Sequence, residues 1–447
     1  MLKYIKISSK YLLVLSMVVL FSACGSDENE GANSVESGEK QFVSATALVD
    51  LNDSYMLDVL RNADLNKTNA FGYENAFGYK SVIIAYNTKG QNDEDIIASG
   101  LLVIPTISDR YKTSLASVGK SYSVSMICDN HSTIFKNDEA PTSVAQATLY
   151  PPSVPMVGLA GFAGIYPDYI GYGASNSVAH PYMLKESSAE ASLDMIKASI
   201  YYMEQNAIAV NYQLYISGYS QGGHAAMALA EEIEDDFDGV DLMGVAAMAG
   251  PHNLVTLANI ELDASHTMVY PAFLGYLADS YSFYDDDIPL SELVITADTA
   301  MYHSLFDGSN TNVEIHTALG LTEQDGFNYY KSDELFEPAF ISDYRNNLNT
   351  AKEFKEELVE NSTHDWAPKT KVNLIHCELD EIIPFSLSQE AYDKFIANGS
   401  TDITLTPIPN SAIPAATAQD PFVHSRCGNT AYGVAVQWFD AIRQGNI

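Results

Sequence analysis

Residues 213–233 read QLYISGYSQGGHAAMALAEEI, and the fold follows from this stretch. Leu214, Tyr215 and Ile216 form a short apolar run of strand character, and the alanine-rich segment after Gly223 is a strong helix former. Between them lies Gly218-Tyr219-Ser220-Gln221-Gly222, a GxSxG pattern. A strand that turns sharply into a helix at a serine holds that serine in a strained backbone conformation and lifts its hydroxyl clear of the sheet. The positions two before and two after it must then lack side chains. Gly218 and Gly222 meet that demand, and Gly223 lets the helix pack closely. Ser220 is therefore the expected nucleophile.

Moving outward, β-rich runs occur at Lys80–Asn87 and Ile96–Ile104. The acidic, glycine-bearing stretch 89–95 between them suits a hairpin. Ser121–Cys128 and Met156–Tyr166 read as further strands, the second as a buried parallel one. Ser187, with Glu190 three residues on, reads as a capping box opening a helix whose apolar residues are Leu193, Ile196, Ile200 and Met203. Strands are expected at Gln213–Ser217, Leu242–Ala249, Val372–His376 and Ile403–Pro407. Helices are expected at Gln221–Ile233 and Thr430–Arg443. Strands that begin as a hairpin and then alternate with helices predict an α/β fold: eight strands, mostly parallel, with an antiparallel edge. Residues 252–370 interrupt the alternation. They are rich in Tyr, Phe and Leu and read as a helical cap between two parts of one core, 41–251 and 371–447.

A serine hydroxyl needs a base, and the base needs a carboxylate to fix its tautomer. On a sheet of this type the chain order is Ser, acid, His. Asp380 follows the strand Val372–His376 and is the expected acid; Glu378 and Glu381 are rivals on the same loop. His424, the last histidine, lies between the eighth strand and the final helix and is the expected base. His376 ends a strand and reads as buried structure. His224, one turn into the elbow helix, is a local rival that helix geometry points away from Ser220. His252, His266, His303, His316 and His364 fall on the insertion and read mostly as surface or cap residues. The oxyanion of a tetrahedral intermediate needs backbone N–H donors. The amide of Gln221 is one, and the loop after the third strand, Asp129-Asn130-His131-Ser132-Thr133, should supply another from His131 or Ser132.

The amino terminus has a different character. Lys3, Lys6 and Lys10 precede the apolar run Tyr11–Phe21, too short to span a bilayer and the right length for a signal-peptide core. It ends in Phe21-Ser22-Ala23-Cys24, which resembles a bacterial lipobox. Residues 1–23 are thus expected to be removed and Cys24 to be lipidated, anchoring the protein to a membrane. Residues 24–40 are polar and acidic and read as a disordered tether. Ser26-Asp27-Glu28 resembles the acidic export signal of surface lipoproteins, so the expected location is the cell envelope, at the outer membrane. Loss of residues 1–23 removes three lysines and no acid, and the net charge of −35 becomes −38. Such a surface repels nucleic acid. Apart from Cys24 the cysteines are Cys128, Cys377 and Cys427, an odd number, so at least one is unpaired within the chain. Their spacing is not that of a zinc site, and no metal or cofactor is expected.

Several motifs beyond the pentapeptide resemble the secretory lipase family of α/β-hydrolases, a group that includes fungal lipase A. His131-Ser132-Thr133 with Ala140-Pro141 is similar to the family's His-Gly-Thr followed by Ala-Pro. Pro167-Asp168-Tyr169-Ile170-Gly171-Tyr172-Gly173 and His180-Pro181-Tyr182 match two more of its motifs. So do the elbow GYSQGGHAAMA and Asp365-Trp366 with Pro368. The resemblance spans roughly residues 70–440. It implies the α/β-hydrolase fold and hydrolysis of a small-molecule, lipid or glycan ester, with Ser220, Asp380 and His424 as triad. The departure is Ser132 where glycine is usual; a side chain there would narrow the pocket or add a hydrogen bond. Asp168, Tyr169 and His180 read as supports of the sheet edge. Fold analogy leaves two alternatives open, a prolyl-type peptidase and a non-catalytic surface binding protein.

Overall fold

The computed structural model describes residues 36–51, 78–107, 109–119, 121–148, 161–321, 330–413 and 422–446. The expected signal sequence, Cys24, most of the expected tether and residues 156–160 of the expected fourth strand lie outside these. Nine strands form one sheet: β1 (Phe42–Leu51), β2 (Gly78–Lys89), β3 (Asp95–Thr106), β4 (Val124–Asn130), β5 (Ala163–Pro167), β6 (Val210–Tyr219), β7 (Asp241–Met248), β8 (Val372–Cys377) and β9 (Ile403–Ile408). Their order is β1-β2-β3-β5-β4-β6-β7-β8-β9. The first four in that order pair antiparallel, and β5 through β9 run parallel.

The expected class holds, but among the described residues the strands number nine rather than eight. The extra strand, β1, pairs with β2 from Phe42↔Tyr86 to Leu51↔Tyr79. It is an edge strand, and most of its described side chains are partly or fully exposed, so it carries no strong apolar signal. Residues 36–41, the end of the expected tether and the first core residue, form a short helix (Glu36–Gln41) that packs on helix Lys185–Gln205. That longer helix starts two residues before Ser187. Its N-cap is Leu184, whose side chain makes no capping bond, so the expected capping box is not formed.

The parallel strands alternate their side chains between two cores. Leu214 and Ile216 of β6, with Val372 and Leu374 of β8, face one core beneath Leu193, Ile196, Met227 and Phe395. Tyr215 and Tyr219 of β6, with Ile375 and Cys377 of β8, face the other, covered by the final helix through Val423, Cys427, Ala431 and Phe439. That helix spans Val423–Arg443, a full seven residues longer at its start than the sequence suggested. His424 consequently sits in its first turn and not on the loop before it. Between β7 and β8 the described chain is helical, from Leu254–Glu261 to Asn349–Glu360. It has its own apolar cluster, including Leu277, Tyr302, Phe340 and Leu358. No described helix is long and apolar enough to cross a membrane.

Candidate active site

Ser220 stands at the junction of β6 and helix Gln221–Asp236 with φ 60° and ψ −119°. A non-glycine residue in that region carries strain of roughly 1–3 kcal/mol. The flanking glycines are what make the turn possible. A Cβ on Gly218 would lie 2.0 Å from the carbonyl oxygen of Gly222, and one on Gly222 would lie 1.9 Å from that of Asn130. The Ser220 amide donates to the carbonyl of Met248, at the end of β7, at 2.9 Å. Two strands therefore hold the strained residue in place. The amide of Gln221 is the first of its helix and has no partner within the helix ladder, which suits it to an oxyanion.

The acid loop leaves β8 at Cys377 and returns at helix Phe385–Asn398. Asp380 lies in this loop with its side chain fully shielded from solvent. An ionised carboxylate so placed must be paired and hydrogen-bonded on both oxygens. Oδ1 accepts the amides of Ile382 at 3.0 Å and Ile383 at 2.8 Å. Oδ2 accepts Nδ1–H of His424 at 2.7 Å, and Nε2 of His376 lies 3.3 Å from it. Burial pushes the Asp380 carboxyl upward, but the two histidines outweigh it and hold the group well below the ordinary carboxylate range. With Nδ1 donating to Asp380, Nε2 of His424 is left free to take a proton. Burial lowers the His424 pKa, while the attraction of Asp380 and its hydrogen bond raise it; the net shift is upward.

The rival acids have other surroundings. Glu378 is exposed to solvent. Glu381 accepts the backbone N–H of His424 at 3.0 Å and so caps the final helix, whose own N-cap residue Phe422 makes no capping bond. Burial raises the Glu381 carboxyl. The rival histidines are engaged elsewhere. His224 donates from Nε2 to the carbonyl of Asn361 at 2.6 Å. His376 is buried, with Nδ1 2.7 Å from Ser388 Oγ and Nε2 2.8 Å from the carbonyl of Ile383. His252 and His316, read as surface or cap residues, are both buried. His252 faces Thr363, and His316 accepts the amide of Ala272. The insertion packs a core of its own, against which His316 lies through Ala272 and Tyr330. His266 and His303 pair with Glu261 and Asp279.

The loop 131–133 runs beside Ser220. His131 and Ser132 line a cavity with it, and Thr133 lines two. His131 Nδ1 lies 2.8 Å from the Ser132 carbonyl and Nε2 3.2 Å from that of Asp168. Both ring nitrogens are thus engaged with backbone carbonyls. Asp168 is buried, accepting from Ser99 Oγ, from the Thr142 hydroxyl and from the Thr142 amide. Burial, opposed by those bonds, lifts its carboxyl to about 6. His180 donates from Nδ1 to Ile170 and accepts at Nε2 from the side-chain amide of Gln221, 2.9 Å away. Burial holds its pKa at about 3, so it stays a neutral acceptor. His180 therefore supports Gln221, the residue after Ser220, as well as the sheet edge. Tyr169 packs against His131, with ring centroids 4.1 Å apart and the planes tilted by 35°.

Two features had no signal in the sequence. Tyr219 donates its hydroxyl to the carbonyl of His424 at 2.6 Å, tying the elbow to the first turn of the final helix. A disulfide joins Cys377 to Cys427, leaving Cys128 free and buried. Two cavities diverge from Ser220. A narrow one of about 60 Å³ runs under the helices of the insertion and is walled by Leu254, Leu257, Met268, Val269, Leu274 and Leu277. A wider one of about 460 Å³ opens beside His424.

Comparison with known proteins gives the family and the fold. A profile of the secretory lipase family matches residues 142–443, a span that includes Ser220, Asp380 and His424. Among solved structures, the rice cell wall degrading esterase LipA from Xanthomonas oryzae is 23% identical with a TM-score of 0.74, covering 89% of this chain and 98% of that one. Candida antarctica lipase A is 14% identical with a TM-score of 0.55, covering 90% and 84%. These likenesses establish the α/β-hydrolase fold. No curated protein matches the sequence.

Proposed function

Because the chain belongs to the secretory lipase family, and so is a carboxylic ester hydrolase, we propose that it works through an acyl-enzyme on Ser220, with His424 as base and Asp380 as its partner. Ser220 Oγ attacks the ester carbonyl while His424 Nε2 takes the hydroxyl proton. The oxyanion is met by the Gln221 amide and by a donor from the loop His131-Ser132-Thr133. As the carbon–oxygen bond to the alcohol breaks, His424 returns the proton to the departing oxygen. A water molecule then adds to the acyl carbonyl, loses its proton to His424, and frees the acid and Ser220.

The observation that carries this reading is the 2.7 Å bond from His424 Nδ1 to a fully shielded Asp380, since it fixes the tautomer a serine nucleophile needs. A fluorophosphonate probe tests it. Labelling should fall on Ser220 in peptide mapping, and a folded protein that stays unlabelled would contradict it.

We further propose that residues 252–370 act as a cap over the nucleophile, because their apolar side chains wall the narrow cavity at Ser220. Lipidation of Cys24 and attachment to the outer membrane complete the proposal. A secretory family and a disulfide in the core both suit an oxidising compartment outside the cytoplasm.

A further inference from the structure

We propose that Tyr276, on the insertion, is a positioning residue for the oxyanion loop: it fixes residues 133–135, so that the insertion sets the place of the donor this loop supplies. The proposal rests on the acyl-enzyme reading of Ser220. It adds a way for residues 252–370 to act on the reaction without touching the substrate.

A donor group stabilises an oxyanion only when held within about 0.5 Å of its productive place. The Gln221 amide is held by strand β6 and the helix Gln221–Asp236 that follows it. The segment 131–135 has no such support. It leaves the end of β4 and reaches the short helical turn Asn137–Glu139 without forming helix or strand. Its place is therefore set by side chains, and three successive residues are gripped by aromatic ones. Thr133 Oγ1 lies 2.9 Å from the Tyr182 hydroxyl. The carbonyl of Ile134 accepts the Tyr172 hydroxyl at 2.6 Å. The ring of Phe135 stacks with those of Phe273 and Tyr276, with centroids 5.6 and 5.7 Å away.

These three grips converge on Tyr276. It lies with Phe273 on helix Pro271–Tyr284 of the insertion. Its ring stacks on that of Tyr182, centroids 4.5 Å apart and planes 4° from parallel. Its hydroxyl lies 3.0 Å from that of Tyr172. The Tyr172 proton is already given to Ile134, so Tyr276 is the donor of this pair. The chain runs from Tyr276 O–H to Tyr172 Oη, and from Tyr172 O–H to the Ile134 carbonyl. Hydrogen bonds in such a chain polarise and strengthen one another, and all three tyrosines are buried. The same rings of Tyr172, Tyr182 and Tyr276 surround His180, at 4.9, 6.0 and 5.8 Å between centroids. His180 in turn holds the side chain of Gln221. One aromatic cluster thus backs both oxyanion donors. Tyr172 and Tyr276 stand on the wall of neither cavity at Ser220, so an effect of Tyr276 on the reaction passes through other residues.

The test uses the full chain with p-nitrophenyl octanoate as substrate and octyl trifluoromethyl ketone as probe. Ser220 Oγ bonds to the ketone carbon, the carbonyl electron pair moves to its oxygen, and the serine proton passes to His424. The adduct carries the oxyanion, so the Ki of the ketone reports on the donors. Tyr172→Phe and Tyr276→Phe keep the rings and remove the two hydroxyls. Each should lower kcat severalfold with KM within about twofold, and raise Ki by the factor by which kcat/KM falls. The double variant should lose no more than Tyr172→Phe alone, because the Tyr276 hydroxyl acts through Tyr172. Tyr276→Leu removes the stacking as well and should cost about tenfold or more, short of the roughly hundredfold to thousandfold lost with a whole oxyanion donor. Phe340→Leu, placed among Phe336, Tyr344 and Phe354 in the insertion's own core, should lower Tm and leave kcat within about twofold. If Tyr276→Leu does not fold, the Phe variants decide. An unchanged kcat in both of them, losses that add in the double variant, a change confined to KM, or a Ki that does not follow kcat/KM would overturn the proposal. An unaltered protein that neither hydrolyses the ester nor binds the ketone defeats the acyl-enzyme reading too, whereas tight ketone binding with an inert Tyr276 defeats this inference alone.

Discussion

Cys377 and Cys427 are joined by a disulfide, Cα–Cα 6.1 Å, and each stands three residues from a partner in the proposed proton relay. Cys377 precedes Asp380 by three positions and Cys427 follows His424 by three. The bridge therefore fixes the end of β8 to the first turns of the final helix, the two elements whose spacing sets the Asp380–His424 bond. Its neighbours Tyr219 and Glu381 tie the same helix from other sides, through the carbonyl and the amide of His424.

Removing the bridge should act on chemistry as well as stability. It closes a loop of 50 residues, and in the chain-entropy treatment such a loop is worth roughly 4 kcal/mol. The double variant Cys377→Ser, Cys427→Ser should melt at a lower temperature. Where it remains folded it should show a severalfold lower kcat with little change in KM. Thermal unfolding followed by circular dichroism, with steady-state kinetics well below the transition, checks both. An unchanged kcat would mean that packing alone sets the relay.

The elbow is expected to trade stability for reactivity. Ser220→Ala should lower kcat by at least about a thousandfold and leave the fold intact. Ser220→Gly should be equally inactive yet more stable, by about 1 kcal/mol, because glycine accepts φ 60° and ψ −119° without a Cβ penalty. Denaturant unfolding of the three proteins side by side gives the comparison; a destabilised glycine variant would argue that the backbone at 220 is unstrained.

The three acids of the loop should separate cleanly. Asp380→Asn offers an N–H where His424 donates one and favours the wrong tautomer, a change that costs roughly ten-thousandfold in serine proteases. Glu378→Gln, at an exposed position, should leave kcat/KM within about twofold. Glu381→Gln keeps an acceptor for the His424 amide and should fall between. Equal losses in all three would mean that the acid is misassigned.

The pH dependence has a definite sign. His424 must be neutral to act as base, and its pKa is raised from 6.5, against burial, by the Asp380 charge, the Asp380 hydrogen bond and the Glu381 charge. The rising limb of kcat/KM should therefore lie above pH 6.5, and in Glu381→Gln it should move to lower pH. For stability the two partners bracket a window. The His424 contribution is full below 6.5 and fades as pH climbs through its raised folded value. The Asp380 contribution is full above 3.8 and is lost only as pH drops through its depressed folded value. A pH–rate profile whose limb lies below 6.5, or does not move in Glu381→Gln, would contradict this electrostatic account.

Anchoring is tested by fractionation. The unaltered protein should pellet with membranes at high salt and be released by detergent. Cys24→Ser should appear in the soluble fraction, with kcat/KM toward a soluble ester retained, since Cys24 lies upstream of the enzyme domain. A variant that still pellets would show that something other than Cys24 lipidation holds the protein.

What the sequence determined by itself is whatever a few neighbouring residues impose. The elbow was legible because Gly218 and Gly222 act within one turn, where a Cβ would strike a carbonyl oxygen. The strands β2 to β8 were legible because buried strands of a covered sheet must be apolar runs. The tertiary structure alone decided everything that depends on distant segments. Strand β1 exists because the edge of β2 offers it unpaired amides and carbonyls, not because its own half-exposed side chains demand burial. Three cysteines allowed three pairings, and only the sheet brings Cys377 within reach of Cys427 while enclosing Cys128. His424 could be assigned from chain order, but its orientation could not. That is set by Asp380, 44 residues earlier, by Glu381 at its amide and by Tyr219 at its carbonyl, contacts that have no sequence pattern because hydrogen bonding reads distance in space rather than along the chain.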